Sequence, residues 1–327
     1  MKRLIMVIII ILLLVGCSDN QLVYPIEKSV SSNTALNDES HNTQESATLN
    51  KTEESKEYEG RSTKINDENR NDITTPILIK GLLVGGLNKG KWMHYDEFYN
   101  SGVVNFDGYH YDVYVNDTKK GNATGGLPIN SKSGETLKED KYIPGFDIID
   151  LYDENNQNVD YDIAMNVDWN ICPRSYSNQS TNQKSYNDLV KNLMIKEGLK
   201  NPDTTLKQVI RVDLDGDGTE EVLITADNTI NDKFEQVMKG DNAIVLFRKL
   251  VNGKVVDQVV EKDIRLKNEE VVSLYRPLFR IETFSDLDGD GIMEVIIKSW
   301  YYEGEEWSVY KLIDNRLELV ASNGSGA

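Results

Sequence analysis

Two short segments of this chain begin with three aspartates at alternate positions and could bind a metal ion. Residues 213–224 read Asp-Leu-Asp-Gly-Asp-Gly-Thr-Glu-Glu-Val-Leu-Ile, and residues 286–297 read Asp-Leu-Asp-Gly-Asp-Gly-Ile-Met-Glu-Val-Ile-Ile. Carboxylate oxygens are hard ligands, of which Ca²⁺ takes about six to eight. Carboxylates about 4 Å apart repel one another by about 1 kcal/mol in water and by about 4 kcal/mol at an effective dielectric near 20. A converging set therefore favours a bound cation.

Each segment has carboxylates at its first, third, fifth and ninth positions and a glycine at its sixth, where the chain must turn. The predicted ligands are Asp213, Asp215, Asp217 and Glu221 in the first loop, and Asp286, Asp288, Asp290 and Glu294 in the second. The alternative interpretation is a solvated hairpin turn without an ion. Because the same arrangement occurs twice, we expect two Ca²⁺ sites with a structural role.

The residues around both segments predict strands, since they are rich in β-branched and aromatic side chains. Position 12 is isoleucine, where an EF-hand requires a bidentate glutamate. Each loop therefore joins two strands of a hairpin, and a further hairpin follows, turning at Asn252-Gly253 in the first copy and at Asp314-Asn315 in the second. An Asn-Gly pair is a strong hairpin signal. The pattern predicts an antiparallel four-stranded unit, present twice within residues 205–327.

The Asp-x-Asp-x-Asp-Gly-x-x-acidic pattern between strands resembles the calcium loops of FG-GAP/VCBS repeats, the blades of integrin α-chain propellers. The resemblance implies that the seventh residue of each loop, Thr219 or Ile292, adds a carbonyl ligand. Glutamate stands at the ninth position, where the family usually has aspartate. The predicted fold class is mainly β with at least one α-helix, built from antiparallel blade-like units. Two such units do not establish a closed propeller, which takes at least about four blades.

The N-terminus predicts a bacterial lipoprotein signal over residues 1–17. Lys2-Arg3 precedes an apolar run from Leu4 to Val15, and Leu14-Val-Gly-Cys17 resembles a lipobox. The run is shorter than the roughly twenty residues that span a bilayer. We expect Cys17 to carry the lipid, anchoring the chain to the outer face of the cell membrane. An ordinary secretory signal with an incidental cysteine is the alternative.

The rest of the chain divides by composition. Residues 18–75 are rich in Ser, Asn, Thr, Glu and Lys, which predicts a disordered tether. Residues 76–170 predict a β-rich region with strand-like runs, including Ile77–Gly86 and Tyr109–Val115. Residues 171–327 hold the two calcium-loop repeats and one helix. That helix is predicted from an apolar stripe that should pack on a sheet, with a Ser180–Gln183 capping box and Gly198 at its end. Its stripe consists of Tyr186, Leu189, Val190, Leu193 and Met194.

The chemistry-bearing residues outside the loops do not form a catalytic motif. The formal net charge of −18 opposes nucleic-acid binding. The three histidines have no zinc-site spacing, and there is no nucleophile elbow, P-loop or dinucleotide fingerprint. We therefore expect no enzymatic activity. Cys172, with no partner once Cys17 is lipidated, is interpreted as a buried structural thiol. Trp300–Trp307 combines aromatic and acidic side chains, so it is either a glycan-contact surface or a core hairpin.

Gly90-Lys-Trp92, the helix, both loops and Tyr301-Tyr-Glu-Gly304 together resemble a group of clostridial and bacillar surface lipoproteins. That resemblance spans most of residues 76–327 and implies a location and a fold, with no activity attached. The function predicted is a lipid-anchored extracellular binding or scaffolding module, whose partner is a cell-wall glycan or a surface protein. The alternatives are a cell-wall or polysaccharide hydrolase or its accessory lipoprotein, and a structural surface spacer. A pocket with two converging carboxylates away from the loops would favour the hydrolase.

Overall fold

The computed structural model describes residues 72–130, 146–229, 237–267, 277–302 and 304–326. The predicted signal peptide, Cys17 and nearly all of the predicted tether lie outside these residues. The described chain is mainly β, with antiparallel sheets and two helices, as the sequence predicts. Neither helix in these ranges has the length and apolar character needed to cross a membrane.

The first sheet is built from the N-terminal part of the described chain. Its strands are β1 (Thr74–Ile79), β2 (Leu82–Asn88), β3 (Lys91–His94), β4 (His110–Val115), β5 (Thr118–Gly125), β6 (Ile129–Asn130), β7 (Phe146–Ile148), β8 (Leu151–Tyr152) and β9 (Ile163–Met165). They are ordered β6-β7-β2-β1-β9-β4-β5-β8, and β3 pairs with β2. A short helix, α1 (Tyr95–Asn100), follows β3 and buries Phe98. This N-terminal sheet positions one wall of the second loop.

The apolar run Ile77–Gly86 forms a hairpin and not the single strand that was predicted. The chain turns at Lys80 and Gly81, both of which have positive φ, 51° and 92°. Almost every residue of β1 and β2 is buried, on both faces of the sheet. On both sides of the turn, from Ile77 to Ile79 and from Leu82 to Leu87, the strands carry no polar side chain, so no alternation marks where one strand ends.

The two predicted four-stranded repeats are present, and each is a separate antiparallel sheet. The first contains β11 (Thr205–Val212), β12 (Glu221–Asp227), β13 (Asn242–Val251) and β14 (Lys254–Ile264), with the short β10 (Tyr176–Asn178) added beside β11. The second contains β15 (Leu278–Ser285), β16 (Glu294–Tyr301), β17 (Gly304–Ile313) and β18 (Arg316–Gly326). Each acidic loop connects the first two strands of its repeat. We call these two sheets the first and second repeat sheets.

The second repeat sheet lies between the other two sheets. One of its faces, which includes Phe279 and Val295, packs on Val245 of the first repeat sheet. Its other face, which includes Trp307 and Val309, packs on the N-terminal sheet. Successive side chains of a strand point to opposite faces, so one strand supplies both cores. The described sheets are stacked and do not close into a ring.

Helix α2 (Lys184–Lys196) covers the outer face of the first repeat sheet, as predicted. Val190, Leu193 and Met194 are buried against residues of β11, β12 and β13. The predicted capping box is wrong. The N-cap residue is Gln183 without a side-chain capping bond, and the Ser180 hydroxyl accepts a hydrogen bond from the Asn182 backbone instead. Ser180 lies too far before the helix to reach its free N–H groups.

Candidate metal centres

The two acidic loops have the same backbone construction. Each loop follows the end of a strand and ends at a glutamate that begins the next strand, Glu221 in β12 and Glu294 in β16. Gly291 at the sixth position has a φ of 83°, and its counterpart Gly218 has 85°. Such positive φ values are readily adopted only by glycine. The turn therefore depends on this glycine, and it folds the carboxylates towards one another.

In the second loop, backbone N–H groups each hold one oxygen of the carboxylates. The N–H of Gly291 donates to Oδ2 of Asp286 over 3.0 Å. The N–H of Ile292 donates to Oδ1 of Asp290, and that of Leu287 donates to Oε2 of Glu294, both over 2.7 Å. Hydrogen bonds to a carboxylate are stronger than neutral ones and fix its orientation. The other oxygen of each carboxylate is thereby left for a different partner.

Asp286 carries a buried oxygen without a partner. The residue is 5% exposed, and its Oδ1 accepts no hydrogen bond. Oxygens of Asp286, Asp288 and Asp290 lie within 4.8 Å of one another, a group that could hold a metal ion. Burial, together with the charges of Asp290 and Asp288, raises the pKa of Asp286 to about 7. An ionised carboxylate in this place lacks a compensating charge on its free side.

A lysine that sequence reasoning missed enters the second loop from the third strand. Lys311 of β17 places its Nζ 2.6 Å from Oδ2 of Asp290 and 3.3 Å from Oε1 of Glu294, and it also donates to Oδ2 of Asp288. Burial alone would lower the pKa of Lys311, but the negative charges of Glu294 and Asp288 outweigh burial and raise it. Lys311 therefore stays charged among the candidate ligands.

The first loop repeats this arrangement with Lys249 of β13. Its Nζ lies 2.8 Å from Oδ2 of Asp215 and 2.5 Å from Oε1 of Glu221. Oxygens of Asp213, Asp215 and Glu221 form the group in the first loop that could hold a metal ion. Asp217, also predicted as a ligand, is exposed and belongs to neither such group in the described residues. The first loop is the more solvated of the two.

The two groups thus differ in their membership. The ninth-position glutamate belongs to the first group but not to the second, where Glu294 is bound by the Leu287 N–H and by Lys311. The seventh residues contribute N–H donors to the fifth-position carboxylates, from Thr219 to Asp217 over 2.7 Å and from Ile292 to Asp290. The structure therefore brings together three carboxylates in each loop.

Arg174 connects the two loops. Its Nε donates to the carbonyl of Asp213 over 2.6 Å, and its Nη2 donates to the carbonyls of Leu214 and Gly291 over 2.6 and 2.8 Å. The N–H of Met293 also donates to the Leu214 carbonyl over 2.9 Å. Arg174 lies between recognisable elements and belongs to no motif, so the sequence gives no signal for this role.

Two tryptophans of the N-terminal region enclose the second loop. The Nε1 of Trp92 donates to Oδ2 of Asp288 over 3.0 Å, and the Nε1 of Trp169 donates to the Asp286 carbonyl over 2.7 Å. The N–H of Asp286 donates to the Ile171 carbonyl over 2.7 Å. The second loop is therefore a joint between its own sheet and the N-terminal region, while the first loop faces solvent on one side.

The other residues singled out by sequence lie elsewhere. Cys172 is partly buried and forms no disulfide, and burial raises the pKa of its thiol to about 11. Trp307 is 3% exposed and packs in the core, while Tyr302 is exposed. The segment Trp300–Trp307 thus forms part of a hairpin in which Trp307 is buried, Trp300 and Tyr301 are half-buried and Tyr302 is exposed. Comparison with protein-family models, with curated proteins and with solved structures found no match for this chain.

Proposed function

We propose that this protein is a lipid-anchored extracellular binding or scaffolding module whose two acidic loops each hold a structural Ca²⁺. The observation that carries the calcium assignment is the free Oδ1 of Asp286, buried inside a group of three carboxylates. A buried carboxylate oxygen without a hydrogen bond is costly, and a cation supplies what it lacks. All-oxygen donor sets suit Ca²⁺ better than transition metals, which favour nitrogen and sulfur.

The groups that would hold the ions are the clustered carboxylates of each loop. Asp286, Asp288 and Asp290 would hold the second ion, and the FG-GAP resemblance adds the Ile292 carbonyl and Glu294. Asp213, Asp215 and Glu221 would hold the first ion, with the Thr219 carbonyl and Asp217 added by the same resemblance. Bound Ca²⁺ would supply positive charge that neutralises these carboxylates. The second ion would also stabilise the joint with the N-terminal region, which gives it a structural role.

Thermal unfolding of the full chain in a mild detergent tests the calcium assignment. Saturation at one hundred times the dissociation constant stabilises the native state by about 2.7 kcal/mol. We expect Ca²⁺ to raise the melting temperature, chelator to lower it, and Mg²⁺ to substitute poorly because it demands tighter octahedral coordination. Asp288→Asn should remove most of the second-site gain, whereas Asp314→Asn, in an exposed turn of the same sheet, should retain it. A melting temperature that does not change when Ca²⁺ is added would refute the assignment.

The anchor is tested separately from the metal. We expect Cys17→Ser to leave the chain without lipid, so that it moves from the detergent phase to the aqueous phase. Cys172→Ser should partition like the parent. If the Cys17→Ser variant enters the detergent phase to the same extent as the parent, no lipid is attached at this cysteine. Because neither substitution touches a loop, the calcium response should be the same in both variants.

The binding partner is tested with glycans and surface proteins. The side of the first loop is solvated and the Tyr302 turn is exposed, so both offer contact surface. We expect a cell-wall glycan or a surface protein to be retained by the full chain in Ca²⁺. A chain that retains neither in a screen with isolated wall glycans and purified surface proteins would support a spacer.

A second candidate, a polysaccharide hydrolase, rests on cavities outside the loops that are lined by carboxylates, among them one that combines aspartates with a glutamate. A space of about 270 Å³ is lined by three carboxylates, from Asp117, Asp162 and Glu282. Each already has a partner in the fold, namely Thr283, Lys80 and Arg280 respectively. The bonds from Lys80 and from the Asn116 N–H outweigh burial and lower the pKa of Asp162.

A glycosidase needs one carboxyl with a raised pKa to act as general acid. The lowered pKa of Asp162 suits an ionised base, and it does not suit that acid. Hydrolysis of purified wall polysaccharide by the full chain, lost in Asp162→Asn and retained in Asp314→Asn, would establish this second function. Absence of turnover would leave the binding or scaffolding function as the better account.

A further inference from the structure

The third strand of each repeat sheet carries a lysine at the same place. Lys249 of β13 and Lys311 of β17 lie across from the glutamate that begins β12 or β16, one position beyond the pairs Val222–Arg248 and Val295–Tyr310. Both lysines are followed by leucine, then by one β-branched residue, and then by a hairpin turn. Lys249 is 4% exposed and Lys311 is 13% exposed. Both side chains are therefore largely buried beside the carboxylates of their loops.

Each ammonium group contacts the carboxylate oxygens that the loop backbone leaves free. In Asp290, Oδ1 receives the Ile292 N–H and Oδ2 receives Lys311. In Glu294, Oε2 receives the Leu287 N–H and Oε1 receives Lys311. Glu221 of the first loop repeats this division, with Oε2 on the Leu214 N–H and Oε1 on Lys249. Several oxygens that a metal ion would use are therefore already held by the lysine, whereas Asp286 Oδ1 is not.

We propose that Lys249 and Lys311 are tethered cations that occupy the metal's place, so that Ca²⁺ enters each loop by displacing an ammonium group. The inference rests on the proposed calcium function and deepens it, because it makes each site an exchange between two cations. An ammonium offers three donors and one charge, which leaves Asp286 Oδ1 unpartnered. A divalent ion offers two charges and six or more coordination positions.

The displaced lysine has a route to solvent. Both Lys311 and Asp290 retain some side-chain exposure, 13% and 15%, so the ammonium leaves on the side of Asp290. The four-carbon stem of lysine is flexible and can lie along apolar surface while its charged end reaches water. The carboxylates meanwhile keep the backbone bonds that orient them. The loop therefore needs no refolding to change its cation.

The exchange predicts that the lysine weakens calcium binding while it stabilises the metal-free loop. We expect Lys311→Met to bind Ca²⁺ at least about tenfold more tightly than the parent, a difference of about 1.4 kcal/mol. In chelator the same variant should melt at a lower temperature, because Asp288, Asp290 and Glu294 lose the ammonium group that pairs with all three. Its rise in melting temperature with Ca²⁺ should exceed that of the parent.

The control is Lys298→Met, which removes a lysine of similar exposure from the adjacent strand. Lys298 pairs with Glu305 and lies over the Trp307 ring, away from both loops. Its calcium affinity should equal that of the parent within about twofold. Lys249→Met provides the same test in the first loop, so that the proposal remains testable if one variant does not fold.

Two measurements on the full chain in detergent decide the outcome. Calorimetric titration with Ca²⁺ gives the affinities, and Tb³⁺ luminescence sensitised by tryptophan reports the second loop, since Trp92 contacts Asp288. Acylation mapped by mass spectrometry reports the lysine itself. Lys311 should be protected in chelator and become reactive when Ca²⁺ is added, while Lys298 should react alike in both conditions.

The possible results separate this inference from the proposed function. If the parent binds Ca²⁺ and Lys311→Met and Lys249→Met bind it no more tightly, the exchange is refuted and the calcium sites stand. If only the lysine variants bind, the lysine occupies the metal's place but Ca²⁺ does not displace it, so the exchange and the calcium assignment both fail for the parent. If neither the parent nor the variants bind Ca²⁺, both conclusions fail.

Discussion

The indole Nε1 of Trp92 donates a hydrogen bond to Oδ2 of Asp288 over 3.0 Å, although the two residues are 196 positions apart. Trp92 belongs to β3 of the N-terminal sheet, and Asp288 is the third residue of the second loop. Asp288 is 2% exposed, so this contact is formed away from water. The state of the second loop is thereby linked directly to the packing of the N-terminal sheet.

Trp92→Phe should remove the hydrogen bond to Asp288 while leaving most of the apolar packing in place. Phenylalanine retains much of the apolar contact but lacks the N–H that donates a hydrogen bond to Asp288. Hydrogen bonds to charged groups contribute about 1.5–3 kcal/mol, so we expect a loss of about that size in the free energy of unfolding. Chemical denaturation measures the loss. Tyr302→Phe, which removes a hydroxyl from an exposed side chain, is the control, and an equal loss there would show that the Trp92 bond is not special.

Asp286→Asn should act in opposite directions with and without calcium. In chelator at pH 8 we expect it to stabilise the chain, because it removes a buried carboxylate whose Oδ1 has no partner. In saturating Ca²⁺ it should destabilise the chain, because the amide is a weaker ligand. Asp213→Asn in the more exposed first loop should show only the second effect. Melting temperatures in the two conditions test this, and a loss of stability in chelator for Asp286→Asn would contradict it.

Much of this fold follows from local sequence. The loops, the strands beside them and helix α2 are marked by periodicity and turn residues, which are properties of neighbouring positions. The hairpin at Lys80-Gly81 was missed because burial on both faces removes the alternation that marks strand ends. The capping box was predicted from a residue spacing that the chain uses for a different turn at Ser180.

The site was only half predictable, because its remaining members come from distant positions. The spacing of the carboxylates predicts the loops. In the sequence, Lys311 has no feature that distinguishes it from a solvated lysine on a strand. Comparison of the repeats offers one signal, since Lys249-Leu250 and Lys311-Leu312 precede the last turn of each copy. Arg174 offers none, because it reaches carbonyls 39 and 117 residues away. Contacts of that range depend on how the sheets stack, which no short pattern encodes.

The thiol of Cys172 should react slowly at neutral pH. Burial, with a contribution from the charge of Asp117, raises its pKa to about 11, and only the thiolate is nucleophilic. In a chain carrying Cys17→Ser, alkylation by iodoacetamide at pH 8 should be at least about tenfold slower than for a free cysteine near pKa 8.5. The rate should rise as the pH approaches 11. Rapid labelling at pH 8 would contradict the burial of this thiol. Denatured protein provides the control for full reactivity.

Arg174 should couple the two loops, because one guanidinium holds carbonyls of both. Arg174→Lys retains the charge but cannot form the three hydrogen bonds to Asp213, Leu214 and Gly291. We expect a loss of about 2–3 kcal/mol in the free energy of unfolding, since each lost bond comes from a charged donor. Arg211→Lys, which alters an exposed pair with Glu220, should cost less than about 0.5 kcal/mol.

The coupling itself is measured by combining this substitution with changes in the loops. In the parent, the effects of Asp213→Asn and Asp286→Asn on calcium affinity should not add, because each loop rests on a carbonyl that Arg174 shares with the other. In the Arg174→Lys background the two effects should approach additivity, since the guanidinium no longer bridges the loops, although the Met293 N–H to Leu214 bond remains. Additive effects in the parent would mean that the two sites bind independently, and Arg174 would then serve stability alone.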